Sequence, residues 1–222
     1  MEQTNKVAEN AGRERILARI RAALREPAPK HSGPAAPERI FAAVTNPLER
    51  FREECSKNNT EFIVVADMAA AAASVGDIVA SLPAGEIFVQ DAPSLRAMTR
   101  AWPRERSIRW SAEGGPAETS EATITLAEEL VAQTGSVFVS AACGGRGASV
   151  VAPVHIVVAQ VGQFVPDLEA AFARLRERNT VAQNSFLCLI TGSSRTADIE
   201  KIIVMGAHGP RRLVVVLALS SQ

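Results

Sequence analysis

An α/β fold, with a mostly parallel central sheet flanked by helices, is what this sequence predicts on three observations. Short runs rich in β-branched and aromatic residues alternate with amphipathic or alanine-rich runs from residue 46 onward. Several strand runs, such as Phe186–Ile190 and Leu213–Leu219, are apolar enough to be buried. Hydrophobic residues make up 47% of 222 residues, which supplies a sizeable core and leaves one main domain as the simplest division.

The chain starts outside that pattern. Residues 13–25 place Ile16, Leu17, Ile20, Ala23 and Leu24 at helical spacing, beside Arg13, Arg15, Arg19, Arg21 and Arg25. Two readings fit this helix. One is a solvated basic face with an apolar stripe docked on the body or on a partner. The other is an amphipathic helix lying on a membrane, which Glu9, Glu14 and Glu26 oppose by diluting the charge. Residues 27–37, PAPKHSGPAAP, hold four prolines and read as a linker, with His31 a solvated linker residue. The expected division is therefore helix and linker over 1–37 and an α/β domain over 38–222.

Asn46-Pro47 with Glu49 reads as a helix start, with Leu48, Phe51 and Cys55 lining one face. Cys55 is expected in the core. Glu61–Val65 reads as a strand, and Asp67 caps an alanine-rich helix carrying Val75, Ile78, Val79 and Leu82. Glu86–Gln90 is the next strand, Asp91-Ala92-Pro93 opens a short helix to about Ala101, and Ser107–Trp110 is a strand before a turn at Gly114-Gly115-Pro116. Thr123–Val131 has mixed character, and Val137–Ser140 reads as a strand. The loop 141–149, AACGGRGAS, is glycine-rich and leads into a strand over Val150–Ala159. Pro166-Asp167 starts a helix with Leu168, Ala171, Phe172 and Leu175 on one side. After Phe186–Ile190 come a polar loop over 192–198, a β run over Ile199–Met205, a tight loop over 206–210 and the final β run.

Composition excludes several functions. Lys+Arg and Asp+Glu are both 24, a balance that argues against a general nucleic-acid surface. Cys55, Cys143 and Cys188 are far apart and form no C-x-x-C pair, so the expectation is no cofactor, and no iron–sulfur cluster, bound by this chain alone. The same usage fits a reducing cytoplasm rather than a disulfide framework. No signal peptide is visible in the polar first 15 residues, and no apolar run reaches the roughly 20 residues of an integral membrane segment.

Two loops carry the parts of an anion site. Gly144, Gly145, Arg146 and Gly147 let backbone amides approach a ligand beside a guanidinium. Gly192, Ser193, Ser194, Arg195 and Thr196 offer glycine, hydroxyls and a guanidinium again. Neither loop is a Walker A motif, and G-x-G-x-x-G is absent. Either could equally be an ordinary glycine turn with a surface arginine. Asp198 and Glu200 are spaced to share a strand face, where paired carboxylates could supply a general acid or base; one could instead cap the loop or pair with Arg195. His208, between glycines, can titrate near neutral pH or tie the loop by hydrogen bonding. His155, in an apolar strand, reads as a satisfied core or interface residue.

T-G-S-S-R-T-A-D-I-E over 191–200, followed by G-A-H-G-P-R-R-L over 206–213, resembles the C-terminal signature of the lactate-utilisation (LUD) domain family, close to its protein C group. The upstream block over 124–158, ITLAEELVAQTGSVFVSAACGGRGASVVAPVHIVV, is similar to that family's T-G strand, Arg-containing loop and P-x-H-I strand. The resemblance implies a fold like ribose-phosphate isomerase and CoA transferases, and work beside iron–sulfur partner proteins in L-lactate oxidation. The chain departs from the family at Gln133, where the family carries Glu before Thr-Gly. Glutamine cannot serve as an acyl-accepting carboxylate or a base, which counts against covalent CoA transfer.

The function expected from the resemblance is a non-redox subunit assisting L-lactate oxidation to pyruvate. The alternatives are a free-standing enzyme using Arg195, Asp198, Glu200 and His208 on an anionic small molecule, such as a sugar phosphate or acyl-CoA, and a carboxylate-sensing binding module. In each case the loops 144–147, 192–198 and 206–209 are expected to meet in one anion site.

Overall fold

The computed structural model describes residues 2–25, 43–114, 117–199, 202–205 and 209–220, without the side chains of 2–11, 195–199 and 202–205. The chain divides into two units, Met1–Ala42 and Ala43–Gln222. In the first, helix α1 runs over Glu2–Ala23. The linker at 27–37, with His31, lies outside the described residues, as do Gly115 and Pro116.

The second unit begins with α2 (Pro47–Lys57), β1 (Thr60–Val65), α3 (Met68–Ser81), β2 (Glu86–Val89), α4 (Pro93–Met98) and β3 (Ser107–Trp110). It continues with β4 (Ala122–Leu126), β5 (Glu129–Val131), β6 (Ser136–Ser140), β7 (Val154–Gln160), β8 (Phe164–Val165), α5 (Leu168–Glu177) and α6 (Thr180–Gln183). Strands β9 (Leu187–Ile190), β10 (Arg195–Ile199), β11 (Ile202–Met205) and β12 (Arg212–Ala218) close it. Three helices start where local chemistry puts them. Asn46 accepts from the Glu49 amide at 3.2 Å, Asp67 from Ala70 at 2.8 Å and Asp167 from Ala170 at 2.8 Å, each satisfying an amide that the first turn leaves unpaired.

Among the described residues, six strands form a parallel sheet in the order β1-β12-β7-β4-β2-β3. The expected α/β class is observed. Side chains alternate across this sheet. On one face, Ile87, Ile124, Ile156, Val214 and Val216 pack under Val75 and Val79 of α3 and Leu95 and Met98 of α4. On the other, Val157, Leu213, Val215 and Leu217 meet Phe51 and Cys55 of α2 and the inner face of a second sheet, ordered β8-β5-β6-β9. The outer face of that second sheet is covered by Ala171 and Leu175 of α5, against Val131, Phe138 and Val165. Cys55 is a core residue, as its spacing predicts.

Three stretches differ in detail from the sequence expectations. Thr123–Val131 splits into strands of two sheets, because consecutive amides change partner: Ala127 bonds Val158 O at 2.9 Å, and Glu128 bonds Phe138 O at 2.7 Å. The strand expected from Val150 starts at Val154. The amides of Val150 and Val151 both turn back to Gly147 O, and Pro153 has no N–H to give a ladder. Residues 195–198, expected in a loop, lie in β10, which pairs antiparallel with β11, Ile199 standing opposite Ile202. The run Ile199–Met205 is therefore not one strand. Pairing with a chain neighbour satisfies backbone groups that a loop would leave to water.

Candidate functional site

The described parts of two of the loops chosen from sequence, 192–194 and 209–210, meet at the amino-terminal edge of the parallel sheet. The Ser194 amide donates to Pro210 O at 2.8 Å, and the Arg211 amide donates to Pro153 O at 2.9 Å. These contacts tie the segment after β9 to the entries of β12 and β7. Gly209 lies against Ser194 so closely that a Cβ there would stand 2.8 Å from the Ser194 hydroxyl. Open α/β sheets more often hold ligands at the carboxyl edge. That edge carries a cavity of about 560 Å³ bordered by Met68, Ala72, Met98, Arg100 and Gln160, among others, largely apolar and without paired polar groups of the kind found at the amino edge.

A chain of hydroxyls links the two Thr-Gly pairs. Ser136 Oγ donates to Thr134 Oγ1 at 2.8 Å and lies 2.6 Å from Thr191 Oγ1. Asn58, at the end of α2, donates to Thr134 O at 3.0 Å. Both glycines are explained by close approach at positive φ. Gly135 (φ +63°) presses on Glu54 and Cys55, and Gly192 (φ +82°) presses on Asn58, whose carbonyl oxygen would stand 2.2 Å from an added Cβ. Gly192→Ala should therefore cost about 2 kcal/mol, from left-handed strain plus the displacement of Asn58, measured as a fall in the urea midpoint. A variant as stable as wild type would show that this contact is easily relaxed.

Beneath this edge, a row of registered residues crosses the sheet on the side of the second sheet: Thr60, Leu213, His155, Thr123 and Phe88. His155 is completely buried, with Nε2 2.8 Å from Thr125 Oγ1. Among the described residues, His155 Nδ1, Thr123 Oγ1 and Thr60 Oγ1 have no hydrogen-bond partner. The expectation of a satisfied core histidine is thus met at one nitrogen only. Burial lowers the imidazole pKa to about 4, so the ring is neutral at pH 7. A neutral imidazole beside threonine hydroxyls can donate and accept hydrogen bonds without carrying charge.

The glycine-rich segment forms two 3-10 turns, Ala141–Cys143 and Arg146–Ser149. Gly144 (φ +107°) spends its freedom on packing: an added Cβ would meet Ser111 Cβ at 2.6 Å and the Phe88 ring at 2.7 Å. Gly145 (φ +95°) has open space around it. Arg146 is exposed, with its guanidinium 5.7 Å from the centre of the Phe186 ring. Burial pushes the Cys143 thiol up to about 11 and Cys55 up to about 12, so both are thiols rather than thiolates at neutral pH.

Arg195, Thr196 and Asp198 lie on β10, where the register shifts between Thr196 and Ile199; their side chains are outside the description. Glu200 and His208 lie outside the described residues. Ser193 is half-buried beside Ser194. Gln133 sits in the β5–β6 connection, its amide donating to Pro166 O at 3.0 Å and its carbonyl accepting from Arg50 at 3.5 Å. Sequence reasoning missed Asn58, Thr123, Ser136 and Thr191 as members of this edge. The signal for one of them, Thr191, was the Thr-Gly repeated at 134–135 and 191–192. No group of three or more His, Cys, Asp or Glu suited to a metal occurs among the described residues. What the arrangement can do is bind a small polar molecule through hydroxyls and backbone amides.

A LUD domain family model matches residues 48–218. Lactate utilization protein C of Bacillus subtilis is 26% identical over 96% of this chain and 93% of its own length. The protein of the same name from Bacillus licheniformis is 25% identical over 93% of this chain and 90% of its own. A solved structure of a DUF162 family protein from Deinococcus radiodurans matches with a TM-score of 0.60 at 17% identity, covering 78% of this chain and 96% of that one. At that identity the likeness shows the fold alone.

Proposed function

The chain belongs to the LUD domain family, and on that premise we propose that it serves lactate utilisation as a non-redox subunit. It assists the oxidation of L-lactate to pyruvate beside iron–sulfur partner proteins in the cytoplasm, and the partners carry the electrons. The observation that supports this most is the match, over nearly the full length of both chains, to relatives named lactate utilization protein C. The test is deletion of the gene. Growth on L-lactate as sole carbon source should fail and return on complementation, while growth on pyruvate should persist. Unchanged growth on lactate would overturn the reading.

The non-redox part of the proposal rests on the cysteines. Cys55 and Cys143 are buried with raised pKa values, and burial raises Cys188 as well. Thiolates, not buried thiols, ligate iron. No cofactor is expected on this chain alone, so the purified protein should be colourless and iron-free by metal assay. Stoichiometric iron with visible cluster absorption would show that it binds a cluster.

We further propose that the amino-edge loops take the anionic small molecule of this system. Gly144, Gly145 and Arg146 form one wall; Gly192, Ser193, Ser194 and Thr196 form the other. Arg195 and His208 hold the anion, and Asp198 and Glu200 handle the proton. A charge-assisted hydrogen bond from arginine is worth about 1.5–3 kcal/mol. Arg195→Ala should therefore weaken binding by about 10- to 150-fold in calorimetric titrations with L-lactate, pyruvate, phosphate and CoA. Equal affinity in wild type and variant would place the site elsewhere.

A further inference from the structure

Helix α1 and the turn that follows it carry Ile16, Ile20 and Leu24 on one stripe, 61%, 49% and 79% exposed, each four residues from the next, with the Leu24 amide still bonded to Ile20 O at 2.9 Å. Half-buried Leu17 adjoins that stripe. At about 100° per residue, Arg19 and Arg21 fall on its two flanks, Arg15 and Arg25 fall on the opposite side, and Arg13 ends the stripe one turn before Ile16. Between residues 13 and 25, five arginines stand against the single acid Glu14. An aliphatic stripe with cationic flanks is the pattern of a helix that lies in a groove.

We propose that α1 is a docking helix for a partner protein that presents an apolar groove rimmed by carboxylates. The charge rules against pairing with the α1 of a second copy, since that would bring arginines against arginines. The residue types favour a protein over a lipid surface. Every cation between residues 13 and 25 is Arg, which protein interfaces enrich while they deplete Lys. Residues 2–25 also lack the Trp or Phe that usually seats a helix in a bilayer interface. Resting on the lactate-utilisation reading, the partner is an iron–sulfur protein of the same system.

The test uses the full-length chain, titrated calorimetrically with each purified iron–sulfur protein of the system at physiological salt. Saturable binding to one of them is expected. Combining Ile16→Asp with Ile20→Asp should weaken it by about 100-fold, as loss of central anchors does. Arg19→Glu with Arg21→Glu keeps the aliphatic stripe and should slow association by about 10-fold, with loss of its salt dependence. Wild-type affinity and rates in both variants would overturn the docking helix. So would binding of vesicles of phosphatidylcholine and phosphatidylglycerol, or self-association in sedimentation, without binding of either protein. Lactate growth that requires the chain, with no partner binding, would overturn the docking helix and leave the functional reading standing. Partner binding through α1 without any growth requirement would support the helix and overturn that reading.

Discussion

Phe51→Ala should cost about 3–5 kcal/mol of folding stability, the range for truncating a fully buried aromatic. Phe51 is completely buried on α2. Its ring meets Phe62 of β1 at 4.9 Å and Phe164 of β8 at 5.3 Å, both edge-on. It therefore joins three elements, one helix and one strand from each sheet. Alanine leaves a cavity at that junction, which none of the three can close without losing its own packing. Phe51→Leu keeps most of the volume and should cost under about 1.5 kcal/mol. Urea unfolding of the three proteins measures both values. A loss below about 1 kcal/mol for the alanine variant would mean that α2 is not integral to the core.

Between pH 6.5 and about 4 the protein should lose stability through His155. The imidazole is held neutral by burial, with its pKa lowered from 6.5 to about 4. The unfolded chain binds a proton in this window and the native state does not. The contribution is thus fully present above pH 6.5 and declines as pH falls, reaching about 3 kcal/mol near pH 4. His155→Gln can still hydrogen-bond Thr125 but does not titrate, so its stability should be flatter over this range. Glu61 and Asp91, whose pKa values are lowered mainly by hydrogen bonds from Arg212 and Arg96, lose their contribution as pH falls below the ordinary carboxylate range. Over pH 6.5 to about 4.5 the difference between wild type and His155→Gln therefore isolates the histidine. Glu129 acts in the opposite sense, because burial raises its pKa against Arg178 and Arg174, and its contribution is lost as pH rises. Parallel pH–stability curves for wild type and His155→Gln would show that His155 is not the titrating group.

Much of the architecture is written locally. The caps at Asn46, Asp67 and Asp167 need only a side-chain oxygen and an amide three residues on. The strands at 60–65, 86–89 and 107–110 are bounded by turn and cap residues within the same few positions. Alternation of those strands with helices then leads to a parallel sheet, since parallel neighbours need a long crossover. Gly192 and Gly209 likewise marked close backbone approach at positive φ, which glycine meets without a Cβ in the way.

What composition and spacing alone determined is therefore the α/β class, the helix starts and the dispersed unpaired cysteines. The tertiary structure alone decided which sheet each strand joins. Ala127 and Glu128 are adjacent in sequence, yet their amides bond strands of different sheets, a choice set by partners about thirty and ten residues away rather than by local propensity. It also decided that His155 and Thr123 stand side by side with unused hydrogen-bonding atoms, and that Gly192 rests on Asn58 across the fold. Register and close approach belong to pairs of distant segments, and no window of one segment contains them.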